Sequence, residues 1–191
     1  SLGEAMLLQG CRQLAAWAKH TATADLTMSI NVSARQLANG ELVNTVRRVL
    51  DATGADPARL SLEITETGLM DDVEVAGNVL RRLRSLGVQF WVDDFGTGYS
   101  SLIYLRRLPL DGLKIDRSFV AGLASETEDR VIVAGIINLA HSLGLVALAE
   151  GVETDQQAER LRALGCDQAQ GFLWSPAMPV EVGSPASELP T

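Results

Sequence analysis

Val88-Gln89-Phe90-Trp91-Val92-Asp93-Asp94-Phe95-Gly96-Thr97-Gly98-Tyr99-Ser100-Ser101 holds the transition on which the fold turns. An apolar run over residues 88–92 ends on two adjacent acids and opens directly into Gly, Thr and Ser. Buried apolar segments seldom finish on neighbouring carboxylates, because repulsion and desolvation destabilise them unless a cation or donor compensates. Adjacent side chains on an extended strand point to opposite faces, but where strand gives way to loop both can turn toward one point. Two carboxylates so placed suit a hard divalent cation such as Mg²⁺, which prefers oxygen ligands. The competing reading is that Asp93 or Asp94 caps the next helix.

The same transition recurs on either side. Short apolar segments predict strands over residues 26–31, 60–65, 88–93, 112–115, 145–149 and 167–172. Between them lie helical patterns: an opening helix carrying Leu7, Cys11, Leu14 and Trp17 on one face, then residues 41–52, 71–86, 128–143 and 154–164. Leu83-Arg84-Ser85-Leu86-Gly87 and Leu161-Arg162-Ala163-Leu164-Gly165 both close a helix just before a strand, and His141-Ser142-Leu143-Gly144 does so more loosely. Glu63-Ile64-Thr65-Glu66-Thr67 is echoed by Glu150-Gly151-Val152-Glu153-Thr154. Repeated strand–helix units with apolar strands predict a parallel sheet covered by helices, an α/β fold.

A (β/α)₈ barrel of TIM type places its chemistry at the C-terminal ends of several strands. The polar residues at the expected strand ends are Asn31, Glu63 with Glu66, Asp93 with Asp94, Lys114 with Asp116, Glu150 with Glu153, and Gln170. Every strand contributes, whereas an open doubly wound sheet gathers its ligands at one switch point. Each member alone has a plainer reading: Asn31 or Glu153 as a helix cap, Gln170 as a solvated loop residue, Lys114 as an ion-pair partner. Their coincidence favours one convergent polar centre.

Composition narrows the function. The 191 residues are 47% hydrophobic and 21% charged, which fits one globular domain, and the net charge of −8 argues against a DNA or RNA polymer or an anionic membrane as partner. Cys11 and Cys166 stand far apart in apolar contexts, the pattern of a reduced compartment rather than a disulfide framework. No leader-like stretch opens the sequence. Residues 131–149 look superficially membrane-like, but Asn138, His141, Ser142 and Gly144 interrupt them. The stretch beyond Pro176, rich in Pro, Ser, Gly and Glu, predicts a loose tail.

The residues that carry these readings resemble the EAL family of bacterial cyclic di-GMP phosphodiesterases. The matching stretches are Asn31-Val32-Ser33-Ala34-Arg35-Gln36-Leu37, Leu62-Glu63-Ile64-Thr65-Glu66, Asp93 through Leu102, Leu113-Lys114-Ile115-Asp116-Arg117-Ser118-Phe119-Val120, Ala149 through Thr154, and Gln170-Gly171-Phe172. The resemblance implies a TIM-type barrel whose first strand runs against the others. It implies hydrolysis of one phosphodiester of cyclic di-GMP to linear pGpG with two Mg²⁺ or Mn²⁺ ions, Ca²⁺ being inhibitory. By it, Asn31, Glu63 and Asp93 match ligands of one ion, and Asp93 bridges to a second that Asp94 also binds. Glu150 matches a carboxylate beside the second ion. Lys114 matches the residue holding the attacking water and the phosphate, and Gln170 a partner of that water network. Glu66 resembles the anchor of the loop after Asp94, and Asp116 a supporting or substrate-contacting residue.

The family's Glu-Ala-Leu signature, with its following Arg, is absent. Gly3-Glu4-Ala5-Met6-Leu7 looks like it, but its register leads straight into the helix before the Asn31 strand, so Glu4 is not expected to bind metal. Six expected strands against the eight of a full barrel point to an N-terminally truncated domain over residues 1–180, followed by a flexible tail over 181–191. The expectation is that this chain alone is weakly active or inactive within a phosphodiesterase parent. A non-catalytic cyclic di-GMP receptor is the alternative, and a purely structural or dimerisation module a third. The resemblance further implies a homodimer, a bacterial cytoplasmic location that a membrane-anchored parent would share, and neighbouring sensor or cyclase domains.

Overall fold

The computed structural model describes residues 2–98, 102–123 and 127–176. The expected loose tail and the Tyr99-Ser100-Ser101 end of the opening motif lie outside the described residues. Helix α1 (Leu2–Trp17) leads into β1 (Met28–Asn31), a short α2 (Ala34–Ala38) and α3 (Leu42–Thr53). Strand β2 (Leu60–Thr65) passes straight into α4 (Glu66–Met70), and α5 (Val73–Arg84) precedes β3 (Gln89–Phe95). Then follow α6 (Leu102–Leu105), β4 (Gly112–Ile115), α7 (Arg117–Gly122), α8 (Thr127–Ser142), β5 (Val146–Ala149), α9 (Asp155–Ala163) and β6 (Gln168–Ala169).

The six strands pair in chain order, each parallel to the next, which is the α/β arc of a barrel and not a doubly wound sheet. Side chains alternate across it. Ile30, Leu62, Ile64, Phe90, Val92, Leu113, Ile115, Ala147 and Ala149 belong to the contiguous core under the helices. Their neighbours Ser29, Ser61, Glu63, Gln89, Trp91 and Leu148 line the opposite, interior face. Period-two alternation in a parallel sheet means that the interior face is not a second hydrocarbon core.

The helix-closing glycines act as the repeated motif predicts. Gly87 (φ 94°) and Gly165 (φ 81°) take left-handed conformations that carry a Cβ poorly, and so reverse the chain into the next strand. At the strand starts two acids set the register. Asp111 Oδ2 accepts the Phe90 N–H at 2.8 Å, and Asp167 Oδ2 accepts the Ala147 N–H at 2.8 Å while lying 2.9 Å from His141 Nε2. The Ala147 donor, against a smaller desolvation effect, and then His141 hold the Asp167 carboxyl below its ordinary pKa.

Three expectations need correction. The last strand does not run over 167–172: β6 stops at Ala169, because at Gly171 the chain backs onto the Val152 backbone, where any Cβ would overlap main-chain atoms. Leu173 N–H then donates to Val152 O at 3.0 Å and closes a turn. Strand β3 continues through both acids to Phe95. The third expected helix begins at Val73 because Asp72 caps it, accepting the Val75 N–H at 3.0 Å. Cys11 is fully buried, its thiol pushed up to about 11 by desolvation, and both cysteines are free. No helix among the described residues is long and apolar enough to cross a membrane.

Candidate active site

The C-terminal ends of the strands converge as the barrel rule requires. Lys114, on β4 and only 5 % exposed in its side chain, is the hub: its Nζ lies 2.7 Å from Glu63 Oε2 on β2, 3.0 Å from Asp93 Oδ1 on β3 and 2.5 Å from Glu150 Oε1 just past β5. Gln170, just past β6, donates Nε2 to Glu150 Oε1 at 2.7 Å. Burial opposes the charge on Lys114, but the hydrogen bonds to Glu150 and Glu63 outweigh it and hold the pKa well above the ordinary lysine value.

Asp94 reaches the same centre by a backbone device. Its φ of 53° is the one left-handed value among the described non-glycine residues. An extended residue after Asp93 would send its side chain to the opposite face; the left-handed turn breaks that alternation. Asp93, Asp94 and Glu150 each offer a carboxylate oxygen, and the three oxygens lie within 4.8 Å of one another. Burial, the Asp93 charge and then Asp116 push the Asp94 pKa up. Burial also raises Glu150, against the lowering effect of Lys114. Asp116 moves the other way. Its desolvation is outweighed by hydrogen bonds from the Ser118 hydroxyl and the Ser118 N–H, the latter at 2.9 Å.

The helix-cap readings fail, because the caps are other residues. Among the described residues neither Asp93 nor Asp94 caps a helix, the next one described being Leu102–Leu105. Ser33 rather than Asn31 caps α2, and Thr154 rather than Glu153 caps α9. Glu66, 2 % exposed, opens α4 and accepts the Gly96 N–H at 2.9 Å in the loop after Asp94. Asn31 stays at the rim, exposed and level with Glu63 on the neighbouring strand. Glu4 sits in α1 and pairs with Arg48 at 3.0 Å. The structure thus gathers Glu63, Asp93, Asp94, Lys114, Glu150 and Gln170, with Asp116 against Asp94. Ser118 was not anticipated, although Asp116-Arg117-Ser118 is a recognisable helix-start pattern.

The donor set fits a hard divalent cation. It is all oxygen, and Asp93 Oδ1 is a buried acceptor with no hydrogen bond, its 3.0 Å approach to Lys114 Nζ being an ion pair without hydrogen-bond geometry. Carboxylates outnumber the single ammonium; burial is the larger cause of the raised pKa values of Asp94 and Glu150, and repulsion from the neighbouring acids adds to it.

The EAL domain family model matches residues 1–177. The chain belongs to the EAL domain family. Its relatives include MucR of Pseudomonas aeruginosa, a bifunctional diguanylate cyclase/cyclic di-GMP phosphodiesterase, 44% identical over 94% of this chain and 26% of MucR. The cyclic di-GMP phosphodiesterase NbdA of the same organism is 43% identical over 94% of this chain and 23% of NbdA. This EAL domain therefore spans about a quarter of the length of those curated relatives. The solved MucR phosphodiesterase in complex with c-di-GMP superposes with a TM-score of 0.89 at 44% identity, covering 93% of this chain and 72% of that one. A manganese/cyclic-diGMP complex of BlrP1 from Klebsiella pneumoniae superposes at 0.74 with 29% identity, covering 91% of this chain and 44% of that one.

Proposed function

We propose that this EAL domain hydrolyses cyclic di-GMP to linear pGpG using two divalent cations, Mg²⁺ or Mn²⁺. The observation that carries the reading is the convergence of Asp93, Asp94 and Glu150 beside the buried, unsatisfied Asp93 Oδ1. When bound, the cations activate a water and stabilise the attacking and leaving oxygens of an in-line displacement. Asp93 and Asp94, with Glu63 and Asn31 on the neighbouring strands, hold them, and Glu150 completes the set directly or through water. Lys114 carries the fixed positive charge that offsets charge building on the phosphoryl oxygens. Gln170 orients Glu150 through its hydrogen bond. Asp116 and Ser118 brace Asp94, and Glu66 holds the loop that follows it. A chain of net charge −8 binds a dianionic dinucleotide because the local potential is set by the cations and Lys114.

Among the described residues β1 and β6 each pair on one side only, and we propose further that this chain by itself is weakly active or inactive. The rest of the proposal covers a homodimer, a bacterial cytoplasmic site of action, and sensor or cyclase domains in the parent protein. The test is chromatography of cyclic di-GMP incubated with this chain and with an upstream-extended form, in Mg²⁺, Mn²⁺ or Ca²⁺. Cleavage to pGpG in Mg²⁺ and Mn²⁺, little in Ca²⁺, and a loss of about 100-fold or more in Asp93→Asn are expected. An Asp93→Asn protein that cleaves at the parental rate sinks the mechanism. Binding without cleavage in every metal makes the domain a receptor.

A further inference from the structure

The barrel interior beneath the acids is unlike the core on the other face of the sheet. Ser29, Ser61, Gln89 and Gln168, with Trp91 and Leu148, border a cavity of about 280 Å³ that rises to Glu63 and Gln170. A polar cavity of that size admits water. Trp91 is 9 % exposed yet stands outside the contiguous apolar core. Strand register puts it opposite Glu63 on one side and Gly112 on the other. Two residues further along β3 and β4, on the same face, stand Asp93 and Lys114.

Gly112 is what admits the indole. A Cβ at this position would overlap Cζ3 and Cε3 of Trp91 and lie 2.8 Å from Cη2. The ring thus occupies the volume that a side chain on β4 would otherwise fill. Leu148 stands level with Lys114 on the far side. A lysine carries four flexible methylenes and a strongly hydrated head, so holding its ammonium on three carboxylates requires that nearby water and alternative rotamers be excluded. Trp91 and Leu148 are the large apolar groups placed to do this in a mostly polar lining, Ala169 being small.

We propose that Trp91, seated on the bare backbone of Gly112, is a positioning residue whose ring walls Lys114 off from the cavity below and keeps its ammonium on Glu63, Asp93 and Glu150. Its bearing on turnover rests on the phosphodiesterase reading; its effect on Lys114 does not.

Lys19 and Lys114 are the two lysines of the chain, one exposed and one buried, so amine acetylation read by peptide mass spectrometry has an internal standard. In the metal-free chain with limiting acetic anhydride, Lys114 reacts far more slowly than Lys19. Trp91→Ala raises the Lys114/Lys19 labelling ratio about tenfold or more by opening a local route to water. Trp91→Ala/Gly112→Phe refills the space from the neighbouring strand and brings the ratio back to within about twofold of the parent. Trp91→Phe, the milder change, gives an intermediate ratio and decides the matter if Trp91→Ala loses its circular dichroism signature of folding. A folded Trp91→Ala protein with an unchanged ratio overturns the proposal. So does an exchanged pair that labels as fast as the single variant, or, where Trp91→Ala unfolds, a Trp91→Phe protein that labels as slowly as the parent. In an extended, active protein Trp91→Ala lowers kcat with KM nearly unchanged, and Trp91→Ala/Gly112→Phe recovers it. An extended, unsubstituted protein that shows no turnover removes the phosphodiesterase reading and leaves the labelling result standing.

Discussion

Replacing Lys114 by Met removes the one cation among Glu63, Asp93 and Glu150 while keeping the stem's volume. At the 2.7 Å contact to Glu63, one ion pair is worth about 6 kcal/mol at an effective dielectric of ~20. Desolvation of the ammonium and repulsion among the acids cancel most of that gross attraction. What remains is the cost of stranding buried charge, about 3–5 kcal/mol when one partner of a buried network is removed. The Lys114 and Glu63 side chains are only 5 % and 9 % exposed, so solvent screens little of it. With a urea m-value of ~2 kcal/mol/M, the unfolding midpoint of the metal-free chain at pH 7 falls by about 1.5–2.5 M. The loss depends on pH in a definite direction. Burial already holds the Asp94 and Glu150 pKa values above the ordinary carboxylate range, and removing the ammonium raises Glu150 further. A carboxyl that binds its proton more tightly folded than unfolded favours folding below its unfolded pKa, and this contribution is lost as pH rises through the folded value. The penalty therefore shrinks as pH falls from 7 to 5. Urea titrations at both pH values, followed by circular dichroism, check this. A Lys114→Met chain as stable as the parent at pH 7, or one penalised more at pH 5, would refute the account of Lys114 as the charge that holds the acids together.

Mn²⁺ or Mg²⁺ at about a hundred times its dissociation constant should add about 2–3 kcal/mol to the parent's stability, a rise of several degrees in melting temperature. Asp94→Ala should abolish most of that rise in a scanning-calorimetry comparison, and an undiminished rise would remove Asp94 from the ligand set. Glu66→Ala strips the acceptor from the Gly96 N–H and should cost about 1–3 kcal/mol, with faster amide exchange confined to the loop after Asp94. Slower or unchanged exchange there would count against Glu66 as its anchor. Asp167→Asn weakens the acceptor of Ala147 N–H and the His141 contact, at a cost of about 1 kcal/mol or less, because the pair is partly exposed. The Asp167 pKa is depressed, so its contribution is present at neutral pH and fades as pH falls through the folded value. Parent and variant should converge in acid denaturation curves.

The strand positions were legible because they depend on local pattern. Leu60–Thr65 and Gly112–Ile115 form where the apolar runs predict them, since an apolar run bounded by turn residues has few ways to bury itself. The short helices α2, α4, α6 and α7 escaped. None is long enough to show a 3.6-residue period, and each is held by caps or packing: Ser33 and Gln36 box α2, and Thr65 caps α4. The end of β6 escaped for another reason. Nothing local to Gly171 announces that the backbone of Val152 will lie against it.

Residue type and order alone established which acids, which lysine and which glutamine sit at strand ends, because that follows from where apolar runs stop. They also established a parallel α/β arc. Three-dimensional packing settled the rest: that Lys114 is shared among three acids, that a left-handed backbone turns Asp94 inward, and that Trp91 lies on Gly112. Glu63 and Lys114 are 51 residues apart, and only the register of three strands brings their charges to 2.7 Å. Distances of that kind fix pKa values, charge balance and metal fit, and a linear pattern does not contain them.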